Sequence, residues 1–245
     1  MSFTRPRILV SRCLGFDACR YDGACLPHDF IDRLRPQVDF ITVCPEVDLG
    51  LPVPRDPIRI VKQGNSLRLF QPSSGRDFTE PMNLFTRNFF SGSPSLDGAV
   101  FKSRSPSCAI RDAKYFRARD DVHPVRRGPG LFARAILNRS PRLPVMDEEK
   151  LLTPRAQDRF LTAVFLQADF RSTVSNRSRR SLFQFHTRHR LFFRARNQSI
   201  LKRMDRLVDG YSGKSRERVR YRTLLSDLLV RGPRIDNQVK ILQEY

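Results

Sequence analysis

The first part of the chain alternates short apolar runs with segments of helical spacing. Four runs are short and rich in β-branched residues, whereas the segments between them repeat apolar residues every three or four positions. This order of strand, helix and strand is typical of a parallel α/β sheet. The predicted strands are RILVS (7–11), VDFITV (38–43), IRIVK (58–62) and GAVFKS (98–103), and the predicted helices are FIDRLRPQ (30–37), FTEPMNLFTRNFFSG (78–92) and GPGLFARAILNRS (128–140), the last with Pro129 in its first turn.

The pattern becomes entirely helical after PRLPVMDEEK (141–150). We therefore predict an α/β protein with a mostly parallel, Rossmann-like sheet domain over residues 1–146 and a smaller all-helical domain over residues 147–245. The final segment, DNQVKILQEY (236–245), ends without a helix stop signal, so we expect the natural chain to continue beyond it. The predicted helical segments are DRFLTAVFLQADF (158–170), SLFQFHTRHRLFF (181–193), ILKRMDRLVDG (200–210) and RYRTLLSDLLVRG (220–232), with loops SNRSRRS (175–181) and GYSGKS (210–215) between them.

Composition indicates a globular protein with no membrane partner. Of the 245 residues 40% are hydrophobic, and 19 are Phe, which excludes a disordered chain. No apolar stretch approaches the roughly 20 residues of a membrane span, and the N-terminal run is too short for a secretory signal. We therefore predict a cytoplasmic protein. Thiols stay reduced in that compartment, which favours metal-binding or catalytic cysteines over disulfides.

Charge is unevenly distributed along the chain. The formal net charge is +20, and it is carried mostly by Arg. Residues 1–150 contain 24 basic and 17 acidic side chains, whereas residues 151–245 contain 21 and 8. This asymmetry favours an anionic partner for the second part, with nucleic acid as the first candidate. The alternative is that the arginines only solvate helix surfaces.

Three of the five cysteines follow predicted strands. Cys13, Cys44 and Cys108 each come shortly after a different strand end, and chemistry in a parallel sheet collects beyond the carboxyl ends of the strands. This placement selects them as a candidate metal-binding trio. Zinc sites usually contain paired cysteines, which are missing here, whereas separate thiolates with a following proline fit an iron–sulfur cluster better. Buried or redox-active thiols without metal remain a third interpretation.

The motifs SRCLGFDACRYDG, VCPEVDLGLPVPR and FKSRSPSCAI together resemble the thiouracil desulfidase (TudS-like) family over about residues 5–145. This resemblance implies a redox-neutral desulfidase that removes sulfur from thiouracil or thiolated nucleosides. It also implies a 4Fe–4S cluster held by Cys13, Cys44 and Cys108, with an open iron for the sulfur of the substrate. Cys19 belongs to the motif as an active-site thiol or alternative ligand, whereas Cys25 lies outside it. The segment SLFQFHTRHRLFF resembles the C-terminal domain of YbgA-type proteins over residues 150–245.

Removing sulfur from a C=S carbon requires a Lewis acid at sulfur, water at carbon and a proton shuttle. Glu46 is the expected shuttle, with its pKa raised by burial and by the cluster charge; the alternative is a carboxylate that caps a turn. Ser103 and Ser105 are expected to bind or polarise the substrate, or else to form turns. The other candidates are Asp22, as a second acid or as the ion-pair partner of Arg20, and Lys102 and Arg104, as partners of the cluster or of an anionic substrate.

Two sequence features remain open. Ala109 stands where the family usually has glycine, and it would be strained if the backbone there needed a positive φ. His186 and His189 lie on one face of a predicted helix, as a metal pair, a phosphate-binding pair or ordinary surface histidines. If the basic helices bind the phosphates of tRNA, the desulfidase could act on thiolated bases within tRNA. The alternative function is a non-catalytic nucleic-acid-binding protein with a structural iron–sulfur or zinc site.

Overall fold

The computed structural model describes residues 3–175 and 178–230. The chain divides into two compact units, one of Pro6–Phe160 and the other of Met1–Arg5 with Leu161–Tyr245. Among the described residues, the first unit contains all the strands and the second contains helices. The domain bounds 1–146 and 147–245 stay a prediction, because compactness alone does not show where an independently folding domain begins.

The order of elements confirms the predicted class, an α/β chain with helices after the sheets. The strands are β1 (Arg7–Ser11), β2 (Asp39–Val43), β3 (Arg59–Gln63), β4 (Ser66–Phe70), β5 (Gly98–Phe101), β6 (Ala113–Phe116), β7 (Arg126–Gly128) and β8 (Val145–Asp147). The helices are α1 (Asp29–Leu34), α2 (Pro45–Asp48), α3 (Thr79–Gly92), α4 (Leu131–Arg139), α5 (Pro154–Thr173), α6 (Arg179–Arg196), α7 (Gln198–Asp209) and α8 (Ser215–Val230). Gly130 is the N-cap of α4, so Pro129 precedes this helix and does not lie in its first turn.

The main sheet has the order β2-β1-β5-β8, and all its strands are parallel. Three of the four predicted strands, β1, β2 and β5, are neighbours in this sheet. Nearly all residues of β1 and β5, including Ile8, Leu9 and Phe101, are buried, as expected for strands covered on both faces. Because these strands are parallel, their carboxyl ends lie at the same edge of the sheet.

The fourth predicted strand, IRIVK, lies outside this sheet. It is β3 of a second sheet with the order β4-β3-β6-β7, in which β3 pairs antiparallel with β4 and parallel with β6. A two-residue connection, Gly64 and Asn65, joins β3 to β4, and Gly64 has a φ of +56°. Tight hairpins of this kind bind a strand to its sequence neighbour. Periodicity predicted the strand but could not show which sheet it joins.

The helical unit is built on a core of aromatic and aliphatic side chains from α5 to α8. Phe185, Phe193, Tyr221 and Leu225 are all fully buried in it. Helix α6 begins at Arg179, so it includes the last residues of the predicted loop 175–181. Residues 176 and 177 of that loop and the final segment 236–245 lie outside the described residues. Among the described helices none has both the length and the apolar character needed to cross a membrane.

Candidate active site

A cavity of about 580 Å³ lies at the carboxyl ends of β1, β2 and β5. Because these strands are parallel neighbours, the segments that follow them meet at one edge of the sheet. Cys13 follows β1, Cys44 follows β2 and Cys108 follows β5, and all three line this cavity together with Cys19. The cysteines separated along the sequence are therefore gathered in one place. Cys25 is exposed and does not line the cavity.

The thiol of Cys19 lies between those of Cys13 and Cys44. It forms hydrogen bonds with both, and the Cys44 Sγ is 3.7 Å from the backbone oxygen of Cys19. The hydrogen bond with Cys13 raises the pKa of Cys19 to about 11. The hydrogen bond with Cys19, followed by burial, also raises the pKa of Cys44. Three thiols thus form one contiguous group in the cavity wall.

Cys108 is buried in the loop that follows β5. Burial raises the pKa of its thiol, against hydrogen bonds with Ser11 and Ser105 that lower it. The Oγ atom of Ser105 accepts hydrogen bonds from the backbone nitrogens of Ser107 (3.2 Å) and Cys108 (3.0 Å). Ser105 therefore forms the turn that presents Cys108, which is the structural role considered for it above.

The chemistry of the donors at this site is compatible with an iron–sulfur cluster, because cysteine thiolates are the ligands of such clusters. Within residues 3–175 and 178–230, no group of three or more His, Cys, Asp or Glu side chains is placed to hold one ion. Zinc needs its ligands within about 2.3 Å of a common point. In a cubane cluster each thiolate binds a different iron, so the thiolates line a wider space. Cys13, Cys19, Cys44 and Cys108 line the cavity and supply thiols of the kind that such a cluster binds.

Glu46 lines the same cavity from the first turn of α2. Its Oε2 accepts hydrogen bonds from Arg55 Nη2 (2.7 Å) and Nε (3.1 Å), and its Oε1 accepts one from Ser107 Oγ (3.0 Å). Arg55 is almost completely buried and also donates to the backbone oxygen of Cys19 (3.1 Å). It therefore joins the carboxylate to the cysteine loop. Arg55 ends the motif VCPEVDLGLPVPR, but the sequence pattern gives no sign of this role.

Ser103 and Lys102 follow β5 and contact Glu148, a carboxylate that the sequence motifs do not include. Glu148 accepts hydrogen bonds from Ser103 Oγ (2.7 Å), from the backbone nitrogen of Ser103 (2.7 Å) and from Lys102 Nζ (2.5 Å). Burial would raise the pKa of Glu148, but these hydrogen bonds outweigh it and hold the pKa below its ordinary value. Residues 141–150 look like a boundary before the helical part of the sequence, so the pattern gives no sign of β8 or of the carboxylate after it.

The remaining candidates around the cavity are engaged elsewhere. Asp22 is exposed and does not line the cavity. Its two carboxylate oxygens form a bidentate ion pair with the guanidinium of Arg20, at 3.0 Å for each contact. This arrangement matches the ion-pair interpretation, and the contact with Arg20 lowers the pKa of Asp22 to about 2. Arg104 lines the cavity and pairs with Glu149. Its φ is +60°, whereas Ala109 has no positive φ, so alanine causes no backbone strain there.

His186 and His189 each pair with an aspartate of a neighbouring helix in the helical unit. The His186 Nε2 lies 2.7 Å from Asp205, and its Nδ1 lies 2.9 Å from the hydroxyl of Tyr221. His189 Nε2 lies 2.7 Å from Asp169. His186 is buried, with both ring nitrogens engaged, which corresponds to none of the three interpretations offered for it from the sequence. These contacts hold α6 against α7, α8 and α5.

Acid is expected to destabilise the helical unit through His186. Burial lowers the pKa of His186, against the hydrogen bond with Asp205 that raises it, so the unfolded chain takes up the proton at a higher pH than the folded one. The stabilisation is therefore complete above a pH of about 6.5 and is lost as the pH falls below it. We expect thermal unfolding followed by circular dichroism to show a falling Tm from pH 7.5 to 5.5. His186→Gln should reduce the dependence of Tm on pH, whereas the control His123→Gln, at an exposed histidine, should leave it unchanged. The same dependence in the wild type and both variants would show that His186 does not cause it.

Fold and cavity define the class of protein: an α/β chain that gathers cysteines from separate strand ends into one pocket. A family model described as 2-thiouracil desulfurase matches residues 8–148, more than half of the sequence. The chain belongs to the 2-thiouracil desulfurase family. This confirms the first resemblance found in the sequence. The match ends at residue 148, so the resemblance of the helical segment to YbgA-type proteins stays a prediction.

Two individual proteins are also similar to this chain. The uncharacterized protein YbbK of Bacillus subtilis (strain 168) is 30% identical over 108 residues, which are 41% of this chain and 72% of YbbK. A solved structure of a 4Fe-4S-dependent thiouracil desulfidase, TudS, is 28% identical with a TM-score of 0.46. That comparison covers 60% of this chain and 94% of the TudS chain.

Proposed function

We propose that this protein is a redox-neutral desulfidase that removes sulfur from thiolated pyrimidines. Membership of the 2-thiouracil desulfurase family supports the class of reaction. The observation that carries the proposal is the convergence of Cys13, Cys44 and Cys108 on one cavity that also contains Glu46. These three cysteines would hold a 4Fe–4S cluster, with Cys19 as an active-site thiol. When bound, such a cluster supplies a Lewis acid for the sulfur of the substrate.

The net reaction consumes neither an oxidant nor a reductant. Water adds its oxygen to the carbon of the C=S group, the carbon–sulfur bond breaks, and both protons of the water end on sulfur. The side chains at the cavity must therefore accept a proton from water and return it. Glu46 is the carboxylate that lines the cavity, and carboxylates are among the side chains that accept and return protons in such reactions.

The cavity is suited to an anionic form of the substrate. Seven of its lining side chains are Arg or Lys, and one is a carboxylate. Five of the cations have carboxylate partners, whereas Arg59 and Lys114 form no ion pair among the described residues. The register of β3 with β6 places these two side by side on the same face, because Ile60 is aligned with Tyr115. A phosphate on a thiolated nucleoside would complement this pair.

The test of the proposed function is anaerobic purification followed by a turnover assay. We expect a brown protein with about four irons per chain, as a cubane cluster requires. We also expect sulfide release from 2-thiouracil or from a thiolated nucleoside, with the base, nucleoside and nucleotide compared to identify the preferred form. A protein that holds the cluster but releases no sulfide from any of them would contradict the enzymatic role.

The charge of the helical unit favours a second candidate function, the binding of nucleic acid. The charge asymmetry of the sequence is accompanied by exposed cations on α7 and α8, among them Arg203, Arg216 and Arg220. Such residues would contact phosphates without reading sequence. If the desulfidase and this surface act on the same molecule, the substrate is a thiolated base within RNA. If the metal site is only structural, the protein is a non-catalytic nucleic-acid-binding protein.

Salt is expected to weaken tRNA binding by the full chain. Each phosphate contact releases counterions, so the logarithm of the binding constant should fall linearly with the logarithm of salt concentration. Arg216→Glu with Arg220→Glu should reduce this slope by about 2, since each lost contact removes about 0.9. The matched control is Arg33→Glu with Arg87→Glu, two exposed positions in the first unit, which should bind as wild type does. Fluorescence anisotropy measures both quantities; binding that ignores salt would contradict this role.

A further inference from the structure

The main sheet brings Glu148 to the end of β5 by strand register. β5 and β8 are parallel, and Phe101 is aligned with Asp147. Lys102 and Glu148 are the next residues of the two strands, so they emerge side by side at the edge where the cavity lies. Lys102 and Ser103 line the cavity, whereas Glu148 lies behind them and does not.

The hydrogen bonds around Glu148 determine the orientation of Ser103. The backbone nitrogen of Ser103 donates to Oε2 and its hydroxyl donates to Oε1, each at 2.7 Å. Lys102 Nζ donates to the same Oε1 and also to Ser103 Oγ, at 3.1 Å. A serine hydroxyl has one proton and two lone pairs. The proton is directed to Glu148 and one lone pair to Lys102, which leaves the second lone pair as an acceptor.

We propose that Glu148 is a positioning residue that orients Ser103 as a hydrogen-bond acceptor for the attacking water or for an N–H of the substrate. This inference rests on the proposed desulfidase function. Without Glu148 the Ser103 hydroxyl could rotate and point its proton into the cavity. In that orientation it would act as a donor and could no longer accept a hydrogen bond from the water or the substrate. Holding the hydroxyl in advance removes that reorganisation from the reaction.

Glu46 and Glu148 have different proposed roles: Glu46 transfers a proton, and Glu148 orients Ser103. Glu46 lines the cavity itself, and Arg55 and Ser107 hold it. Glu148 is buried behind Ser103, and the ammonium of Lys102 compensates its charge. A purely structural ion pair would need only Lys102. The two additional hydrogen bonds from one serine, both at 2.7 Å, are what point to a role in orientation.

The test is a double-mutant cycle on anaerobically purified protein, with sulfide release from 2-thiouracil as the assay. Glu148→Gln keeps the shape but loses the charge, and we expect kcat to fall about 10- to 100-fold, as for a hydrogen bond to a charged group. KM and iron content should change little. Glu80→Gln, at an exposed carboxylate of the same unit, should keep the wild-type kcat.

The Ser103→Ala background separates orientation from general destabilisation. If Glu148 acts through Ser103, adding Glu148→Gln to Ser103→Ala should cause no further loss of kcat. An equal loss in both backgrounds, or a wild-type kcat in the single variant, would overturn the inference while leaving the desulfidase intact. A wild-type protein that releases no sulfide would instead overturn the proposed function, and this inference with it.

Discussion

Cys108→Ser is expected to lower sulfide release by at least about 100-fold and to reduce the iron content of anaerobically purified protein. The reason is that Cys108 is one of three thiolates proposed to hold the cluster, and even residues that only support metal ligands cost 10- to 100-fold when replaced. Cys13→Ser and Cys44→Ser should behave in the same way. Iron analysis, visible absorption and turnover of 2-thiouracil measure the effect.

Cys25→Ser is the matched control for these variants. Cys25 is exposed and lies outside the cavity, so this variant should retain both iron and activity. Cys19→Ser tests the fourth thiol, which hydrogen-bonds with Cys13 and Cys44. Retained iron with lowered turnover would identify Cys19 as an active-site thiol, and lost iron would identify it as a ligand. Full activity of Cys108→Ser would contradict the proposed set of ligands.

Glu46→Gln is expected to lower the rate of sulfide release by about 10²- to 10⁴-fold, the usual contribution of a general acid–base group. The amide cannot accept a proton from water, although its oxygen can still accept a hydrogen bond from Arg55 or Ser107. The iron content should be unchanged, because Glu46 is not a proposed ligand. Single-turnover assays at equal iron loading measure this step.

Stability must be measured together with this rate. Arg55 is buried, and breaking a buried ion pair costs about 3–5 kcal/mol. The rate should therefore be compared at temperatures well below the Tm of the variant. Glu80→Gln changes a first-turn glutamate of α3 that is exposed, and it should leave both rate and Tm unchanged. A Glu46→Gln protein that is folded, loaded with iron and fully active would contradict the shuttle role.

Local pattern was sufficient to predict most of the elements that build the site. β1, β2 and β5 coincide closely with apolar, β-branched runs, because strands buried on both faces need continuous apolar sequence. The position of Cys44 directly after β2, with Pro45 opening α2, is equally visible in the sequence. The three-residue strand β8 was missed, because a run of that length is too short to show a period.

The sequence by itself determined the fold class, the strands of the main sheet, the family motifs and the cysteines at the strand ends. The tertiary structure alone decided which side chains share the cavity. Arg55 on Glu46, Cys19 between two thiols, and Glu148 behind Ser103 are contacts between segments far apart along the chain. Such contacts depend on strand order and register, and these are set by packing the whole sheet at once, which no local periodicity encodes.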